Sequence, residues 1–173
     1  MSDPAPDVRI VHLSSAAFHA LARGDLADTP VPLSPYLTGF ECRGLWHMRA
    51  VQCDLDPASA AWVTGVIWDE ARQMAVGAAG FHGPPDDEGM VEIGYRVDPL
   101  HRRRGYARAA LESLLARAAR EPDVHRVRVS IRPENLPSSQ LALQYGFEQV
   151  GEQWDEEDGL ELVYETSVPG QAR

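Results

Sequence analysis

The chain has 173 residues, 44% of them hydrophobic, and its 26 acidic and 16 basic residues give a formal charge of −10 at pH 7. This acidic balance argues against nucleic acid as a partner, because a phosphate backbone requires a basic protein face. The sequence has no apolar run of about 20 residues and no basic segment leading into an apolar one at its start, so we expect no membrane helix or signal peptide and a cytoplasmic location.

The first part of the chain predicts a strand, a short helix and an irregular segment. Residues 8–13 are rich in apolar and β-branched side chains and favour a strand. Residues 14–23 have helical apolar spacing between a capping serine, Ser14 or Ser15, and the terminating glycine Gly24. Prolines interrupt residues 25–48, which we expect to pack over the site as helix and loop.

The rest of the chain alternates between strand and helix patterns. The predicted elements are strands at 61–68 and 73–82 joined by a turn, a strand at 91–97, a helix at 105–120, a strand at 124–132, a helix at 137–145, and strands at 147–154 and 160–166. They predict an α+β fold: a mixed, mostly antiparallel sheet of six to seven strands with helices on both faces. The length suits one domain over residues 1–173, with mobile ends at 1–7 and 167–173.

The junction between the strand at 91–97 and the helix at 105–120 carries three consecutive arginines, Arg102, Arg103 and Arg104, followed by Gly105. The first turn of a helix has N–H groups without intrahelical acceptors and a partial positive charge, which together favour an anion. Gly105 has no Cβ and allows a phosphate to approach closely. An ordinary solvated loop is the alternative, but the arrangement favours a diphosphate site.

The pattern Arg102-x-x-Gly105-x-Ala107, in its strand-loop-helix setting, resembles the acetyl-CoA-binding loop of the GCN5-related N-acetyltransferases (GNAT). The blocks at 92–95 and 135–147 are similar to the branch of this family that includes the RimJ and RimL protein N-terminal acetyltransferases. The resemblance covers about residues 60–165. It implies the GNAT fold, in which the strands that end at Val97 and Arg132 run parallel and splay apart around acetyl-CoA.

The resemblance also implies which residues hold the cofactor. Backbone groups at 95–97 would pair with the pantetheine arm, and N–H groups at 103–108 would hold the pyrophosphate. Asn135 either hydrogen-bonds the pantetheine or only caps the following helix. The expected cofactor-binding residues are Tyr95, Arg96, Val97, Arg102, Arg103, Arg104, Gly105, Tyr106, Ala107, Arg108 and Asn135.

Catalytic groups are less strongly indicated. Glu92 is a candidate general base acting through water, because some relatives use a glutamate on this strand; a surface glutamate is the alternative. The family's usual proton donor, a tyrosine, is replaced by Ala142. Tyr145 is a candidate substitute or a packing residue, and solvent-mediated proton transfer would suffice. The histidines and cysteines lack metal-ligand spacing, so no metal is expected.

The implied function is transfer of acetyl from acetyl-CoA to a primary amine, by direct attack in a ternary complex. The acceptor is either a protein N-terminus or a small amine, selected by segment 25–50 and loop 83–89. One alternative is a catalytically inactive acetyl-CoA-binding regulatory or interaction protein, suggested by the missing tyrosine; another is a structural domain without cofactor. A homodimer through strands 147–166 is possible.

Overall fold

The computed structural model describes residues 5–168, so most of the ends predicted to be mobile lie outside the described residues. The helices are α1 (Ser15–Arg23), α2 (Pro35–Thr38), α3 (Phe40–Leu55), α4 (Tyr106–Ala118) and α5 (Leu136–Gln144), with 3₁₀ helices at Pro57–Ala61 and Pro99–His101. The strands are β1 (Val8–Val11), β2 (Gly65–Asp69), β3 (Met74–Phe81), β4 (Met90–Val97), β5 (Arg126–Ile131), β6 (Glu148–Asp155) and β7 (Gly159–Ser167). None of the helices within this range is long and apolar enough to cross a membrane.

The strands form one seven-stranded sheet in the order β1-β2-β3-β4-β5-β7-β6. All neighbouring strands are antiparallel except β4 and β5, which run parallel. The α+β fold class and the mixed, mostly antiparallel sheet are therefore confirmed.

The parallel pair β4 and β5 is bonded over only part of its length. Met90, Val91 and Glu92 pair with residues 126–128, and the pairing ends there. From Ile93 to Val97, β4 is paired with β3 alone. Backbone groups of β4 that point toward β5 in this stretch have no strand partner. We call this opening the β4–β5 gap; it corresponds to the splay that the family resemblance implied.

The sheet separates two hydrophobic cores. Alternate β4 residues, Val91, Ile93 and Val97, are buried in the core that holds α4 and α5. The other core holds α1, α2 and α3 against β2 and β3. Side chains at 92, 94 and 96 consequently face the α3 side, because successive residues of a strand point to opposite faces. We call the α3 side of the sheet, from β3 across the β4–β5 gap to β6, the groove face.

The local predictions hold at the first helix and fail at the start of β2. The Ser14 side chain accepts a hydrogen bond from the N–H of Ala17, and Gly24 ends the helix with φ 77°, as expected of these caps. The predicted strand at 61–68 is wrong at its start: residues 57–61 form a 3₁₀ helix behind Asp56, and the strand begins at Gly65.

Candidate functional site

The loop that precedes α4 presents backbone N–H groups to solvent. Gly105 has φ 84° and provides no side-chain cap for the helix, and Arg103 is also in the left-handed region, with φ 58°. The N–H groups at 105–108 donate no hydrogen bond to another residue within 5–168. Consecutive free N–H groups at a helix start form an anion-binding concavity. We call residues 102–105 the arginine loop.

A buried hydrogen bond fixes the start of α4. The hydroxyl of Tyr106 donates to Asp69 Oδ2 over 2.6 Å, and Arg72 donates to the same carboxylate through its backbone N–H and its side chain. These hydrogen bonds outweigh the burial of Asp69 and lower its pKa, whereas burial and Asp69 raise the pKa of Tyr106. The side chain of Tyr106 is therefore committed to the fold, and its N–H is the group left for a ligand.

The arginine side chains divide into two sets. The Nε atom of Arg102 donates to the carbonyl of Val97 over 3.2 Å, and Arg108 reaches Tyr145 and Gln144 on α5. Arg103 and Arg104 are exposed and form no ion pair with a carboxylate within 5–168. Together with Arg72, they line an open cleft of about 690 Å³ beside Gly105. These two arginines provide positive charge next to the free N–H groups.

The β4–β5 gap leads away from this loop. Tyr95 and Val97 lie on β4 toward the α4 side, and Tyr95 interacts with Ser138 on α5. Arg96 points to the groove face and donates to the carbonyl of Glu41 over 3.0 Å. The unpaired backbone of β4 can hydrogen-bond an extended chain, and the arginine loop lies beyond the end of β4 at Val97.

Asn135 caps α5, which was one of its two predicted roles. Its Oδ1 atom accepts from the N–H of Ser138 at 3.4 Å. The side-chain amide N–H groups donate to no residue within the described range. These donors remain free for a ligand, so the contact with the cofactor stays a prediction.

Glu92 lies on the groove face at the last pair before the gap opens. Its side chain is 18% exposed, and its Oε1 atom lies 3.8 Å from Nδ1 of His82. The ring of His82 covers Gly94: a Cβ on Gly94 would lie 2.7 Å from His82 Nε2. The structure therefore brings an imidazole and a carboxylate together beside the β4–β5 gap.

A buried arginine on α3 approaches the same place. Arg49 is 5% exposed, donates through Nε to the Thr64 hydroxyl at 3.1 Å and through Nη1 to Gln52 Oε1 at 2.8 Å. Gln52 in turn donates to the carbonyl of His82. Burial lowers the pKa of Arg49; burial, and then the charge of Arg49, also lower the pKa of His82.

Tyr145 lies on the α4–α5 side of the molecule. Its hydroxyl hydrogen-bonds Glu112, accepts from Arg108 at 3.0 Å, and has the Arg108 guanidinium over its ring. Burial and the bond to Glu112 raise its pKa, so the phenol keeps its proton. Its role as a proton donor stays a prediction. Ala142, at the family's tyrosine position, is buried in the core.

Sequence reasoning missed two residues of the groove face, His82 and Arg49. His82 was one of six scattered histidines, and Arg49 lies at the end of segment 25–50, where helix and loop were expected without bounds. The signal for His82 was its position at the end of a strand that precedes a glycine-containing strand. No sequence signal identified Arg49, since its burial depends on how α3 packs. Within residues 5–168, no three His, Cys, Asp or Glu side chains are grouped to hold a metal.

Comparison with known proteins gives a consistent result. A family model described as an acetyltransferase (GNAT) domain matches residues 39–148. YjdG, an uncharacterized N-acetyltransferase of Bacillus subtilis, is 38% identical over 82 residues, which are 47% of this chain and 49% of that protein. The chain spans about half the length of the curated relatives that it matches.

Solved structures of acetyltransferases share the fold across nearly the whole chain. The ribosomal-protein-S5-alanine acetyltransferase of Vibrio fischeri has a TM-score of 0.64 at 15% identity, covering 100% of this chain and 98% of its own. A mutant form of the spermidine N-acetyltransferase SpeG from Vibrio cholerae has a TM-score of 0.66 at 14% identity and covers 96% of each chain. At these identities the comparison supports the fold and leaves the acceptor open.

Proposed function

Because the chain belongs to the acetyltransferase (GNAT) family, we propose that it transfers acetyl from acetyl-CoA to a primary amine in a ternary complex. The observation that carries this proposal is the β4–β5 gap, which runs to the uncapped start of α4. A pantetheine arm can add to the free edge of β4 as an extra strand would, while the arginine loop holds the pyrophosphate.

The residues of the loop have separate tasks in this proposal. The N–H groups at 105–108 bind phosphate oxygens, and Arg103 and Arg104 add charge from the rim. Asp69 keeps Tyr106, and with it the first turn of α4, in place. Since the protein carries a net charge of −10, this local positive patch is needed to attract a polyanion.

In this proposal the acceptor amine binds at the groove face. Acetyl-CoA is a substrate that brings an activated thioester, and the amine must attack it as the neutral base. An α-amine has a pKa of about 8 and an alkylamine of about 10.4, so at neutral pH most of the amine is protonated and must lose a proton before it attacks. Glu92 is the carboxylate proposed to drive this removal, through water or an intervening group.

The departing thiolate also requires a proton. Tyr145 is the candidate donor, and its raised pKa keeps the phenol protonated. Tyr145→Phe tests this role: loss of a positioned acid lowers kcat by about 10²-fold or more. A smaller loss would leave Tyr145 as a link between α4 and α5, with the proton arriving through solvent.

The decisive experiment measures thiol release. The protein is incubated with acetyl-CoA and a panel of peptides with free N-termini, polyamines and other small amines, and free CoA is measured against an amine-free control. Amine-dependent release is expected. Binding of acetyl-CoA without turnover across the panel would favour the alternative of an inactive acetyl-CoA-binding protein.

A double variant tests the assigned loop independently of the acceptor. Arg104→Glu with Gly105→Asp places two carboxylates where the pyrophosphate is proposed to lie and should weaken CoA binding strongly, measured by calorimetry. The matched control is Arg120→Glu with Gly151→Asp, because both residues are exposed and Gly151 has open space around it. Unchanged affinity in the loop variant would refute the assignment.

A further inference from the structure

We infer that the acceptor amine belongs to a molecule that also carries a carboxylate, and that Arg49 binds this carboxylate at the groove face. The inference rests on the proposed function and names the substrate class: an acceptor with its amine at the β4–β5 gap and a negative charge a short distance away. The N-terminus of a peptide with an early acidic residue has this chemistry, and an ω-amino acid shares it. A polyamine lacks it.

Arg49 is a buried cation that has no opposite charge beside it. Its side chain donates to the Thr64 hydroxyl and to the amide oxygen of Gln52, both of which are neutral. It is the only buried arginine within residues 5–168, and no carboxylate in that range forms an ion pair with it. Charged side chains are rarely buried without a counter-ion, because the loss of hydration is offset only by a partner charge and hydrogen bonds. The fold therefore leaves the counter-ion of Arg49 to a ligand.

The ionisable groups that follow Arg49 on the chain do not neutralise it. Cys53 interacts with Arg49, but burial raises the pKa of this thiol, so the thiol is uncharged at pH 7. Asp54 lies 3.0 Å from the ring of His19 on α1. Asp56 caps the 3₁₀ helix that follows α3. The guanidinium thus keeps its full positive charge for a ligand.

One arm of the guanidinium has no protein partner. Nε and Nη1 donate to Thr64 and Gln52, whereas Nη2 donates to no residue in the described part of the chain. Nη2 is not sealed from solvent either, because the only fully buried side-chain nitrogen or oxygen without a hydrogen bond in that part is Nδ1 of His101. Its two N–H groups are therefore available to a carboxylate, which a guanidinium binds through short, charge-assisted hydrogen bonds.

A row of small residues connects Arg49 with the β4–β5 gap. Thr64 lies beside Gly80 of β3, where a Cβ would come within 2.6 Å of the Thr64 Cα atom, and Gly80 pairs with Gly94 of β4. Neighbouring strands lie about 4.8 Å apart, so the backbone of Thr64 is about 10 Å from that of Gly94. An extended peptide advances about 3.4 Å per residue, so two or three residues cover this distance.

The charges along this row suit an acceptor with a positive and a negative end. Glu92 precedes Gly94 on the same face of β4 and provides negative charge at the gap, and Arg49 provides positive charge at α3. The ring of His82 covers Gly94 and adds no charge at pH 7: burial and then Arg49 lower its pKa below 6.5, although Glu92 and Asp155 oppose this. A protonated amine is therefore attracted to the gap and a carboxylate to α3.

The test compares acceptors that differ in one carboxylate. Thiol release from acetyl-CoA is measured with amidated alanine tetrapeptides that carry one glutamate at position two, three or four, each against the same peptide with glutamine. At position two or three the wild type should prefer glutamate by about 10- to 100-fold in kcat/KM, mainly through KM, because a hydrogen bond to a charged group contributes a factor of this size.

A small-molecule arm distinguishes the two sources of the carboxylate. 6-Aminohexanoate is compared with its amide, and spermidine is included as an acceptor without a carboxylate. Preference for the glutamate peptides would identify a peptide N-terminus as the acceptor, and preference in the small-molecule arm alone would identify an amino acid. Spermidine should be a poor acceptor in either case.

Arg49→Gln tests whether the guanidinium causes the preference. The preference for glutamate over glutamine should fall to within threefold, whereas kcat/KM for the glutamine peptide should stay within threefold of the wild type. A purely structural arginine would lower both values equally and leave their ratio unchanged. Arg49→Lys should restore part of the preference, and the matched control Arg43→Gln, at an exposed position of α3, should keep all of it. An unchanged Kd for CoA in calorimetry would show that the variants are folded.

Three results would overturn the inference while the proposed function stands. They are equal kcat/KM for the charged and neutral forms of every acceptor in the wild type, faster turnover of spermidine than of all acceptors with a carboxylate, and a glutamate preference that survives in Arg49→Gln. The first two need no variant, so they apply even if Arg49→Gln does not fold. If the wild type releases no thiol with any acceptor, the proposed function fails and the inference falls with it.

Discussion

Gly105→Ala is expected to weaken CoA binding by roughly 10- to 100-fold. Gly105 has φ 84°, a conformation that costs an alanine about 1–2 kcal/mol. Either the loop keeps this strain or it relaxes and turns its N–H groups away from the ligand. Losing one hydrogen bond to a phosphate oxygen costs about 1.5–3 kcal/mol, and each ~1.4 kcal/mol is a factor of ten in Kd.

Calorimetric titration with CoA measures the effect, and denaturant unfolding measures the strain. The matched control is Gly24→Ala, because Gly24 ends α1 with a similar φ of 77° and the three atoms nearest to its new Cβ belong to the movable guanidinium group of Arg43. Both variants should lose similar unfolding free energy, whereas only Gly105→Ala should bind CoA more weakly. A Kd for Gly105→Ala within twofold of the wild type would refute the assignment of the pyrophosphate to this loop.

Three further predictions follow from individual contacts. Tyr106→Phe should lower the free energy of unfolding, measured by urea denaturation, by about 1.5–3 kcal/mol, because it leaves the buried Asp69 without its phenol donor. A loss below about 0.5 kcal/mol would contradict the stabilising role of this hydrogen bond. The pKa of Asp69 is lower in the folded than in the unfolded protein, so the ionised carboxylate stabilises the fold above the unfolded pKa of about 3.9, and this stabilisation is lost as the pH falls through the folded pKa. The free energy of unfolding of Asp69→Asn should therefore decline less steeply in acid than that of the wild type. Asn135→Asp should keep the α5 cap, so its free energy of unfolding should stay within about 0.5 kcal/mol of the wild type, but removal of the amide donor should raise the Kd for CoA roughly tenfold. Asn135→Ala should bind CoA equally weakly and should also lose about 1 kcal/mol of unfolding free energy, because the cap is gone. Equal CoA affinity in all three proteins would show that Asn135 is only a cap.

The order of elements and most of the helix and strand positions follow from local patterns in the sequence. Ser14 and Gly24 bracket α1 because capping depends on residues within a few positions of the helix end. Helix was expected within residues 25–48, but the bounds of α3 were not predicted, because prolines precede it, Gly44 lies inside it, and the charged Arg49 occupies a buried position. Patterns that rely on apolar spacing fail where a helix buries a charge.

The arginine loop and the α4 start could be identified from sequence, since one contiguous stretch holds the arginines, the glycine and the helix start. The length of the β4–β5 pairing and the ring of His82 over Gly94 could not, because they join residues distant in the chain. Local sequence patterns therefore predict a phosphate site, because such a site depends on backbone groups next to one another in the chain. Tertiary packing alone decided which side chains meet at the groove face, because their distances and charges result from how α3, β3 and β4 come together.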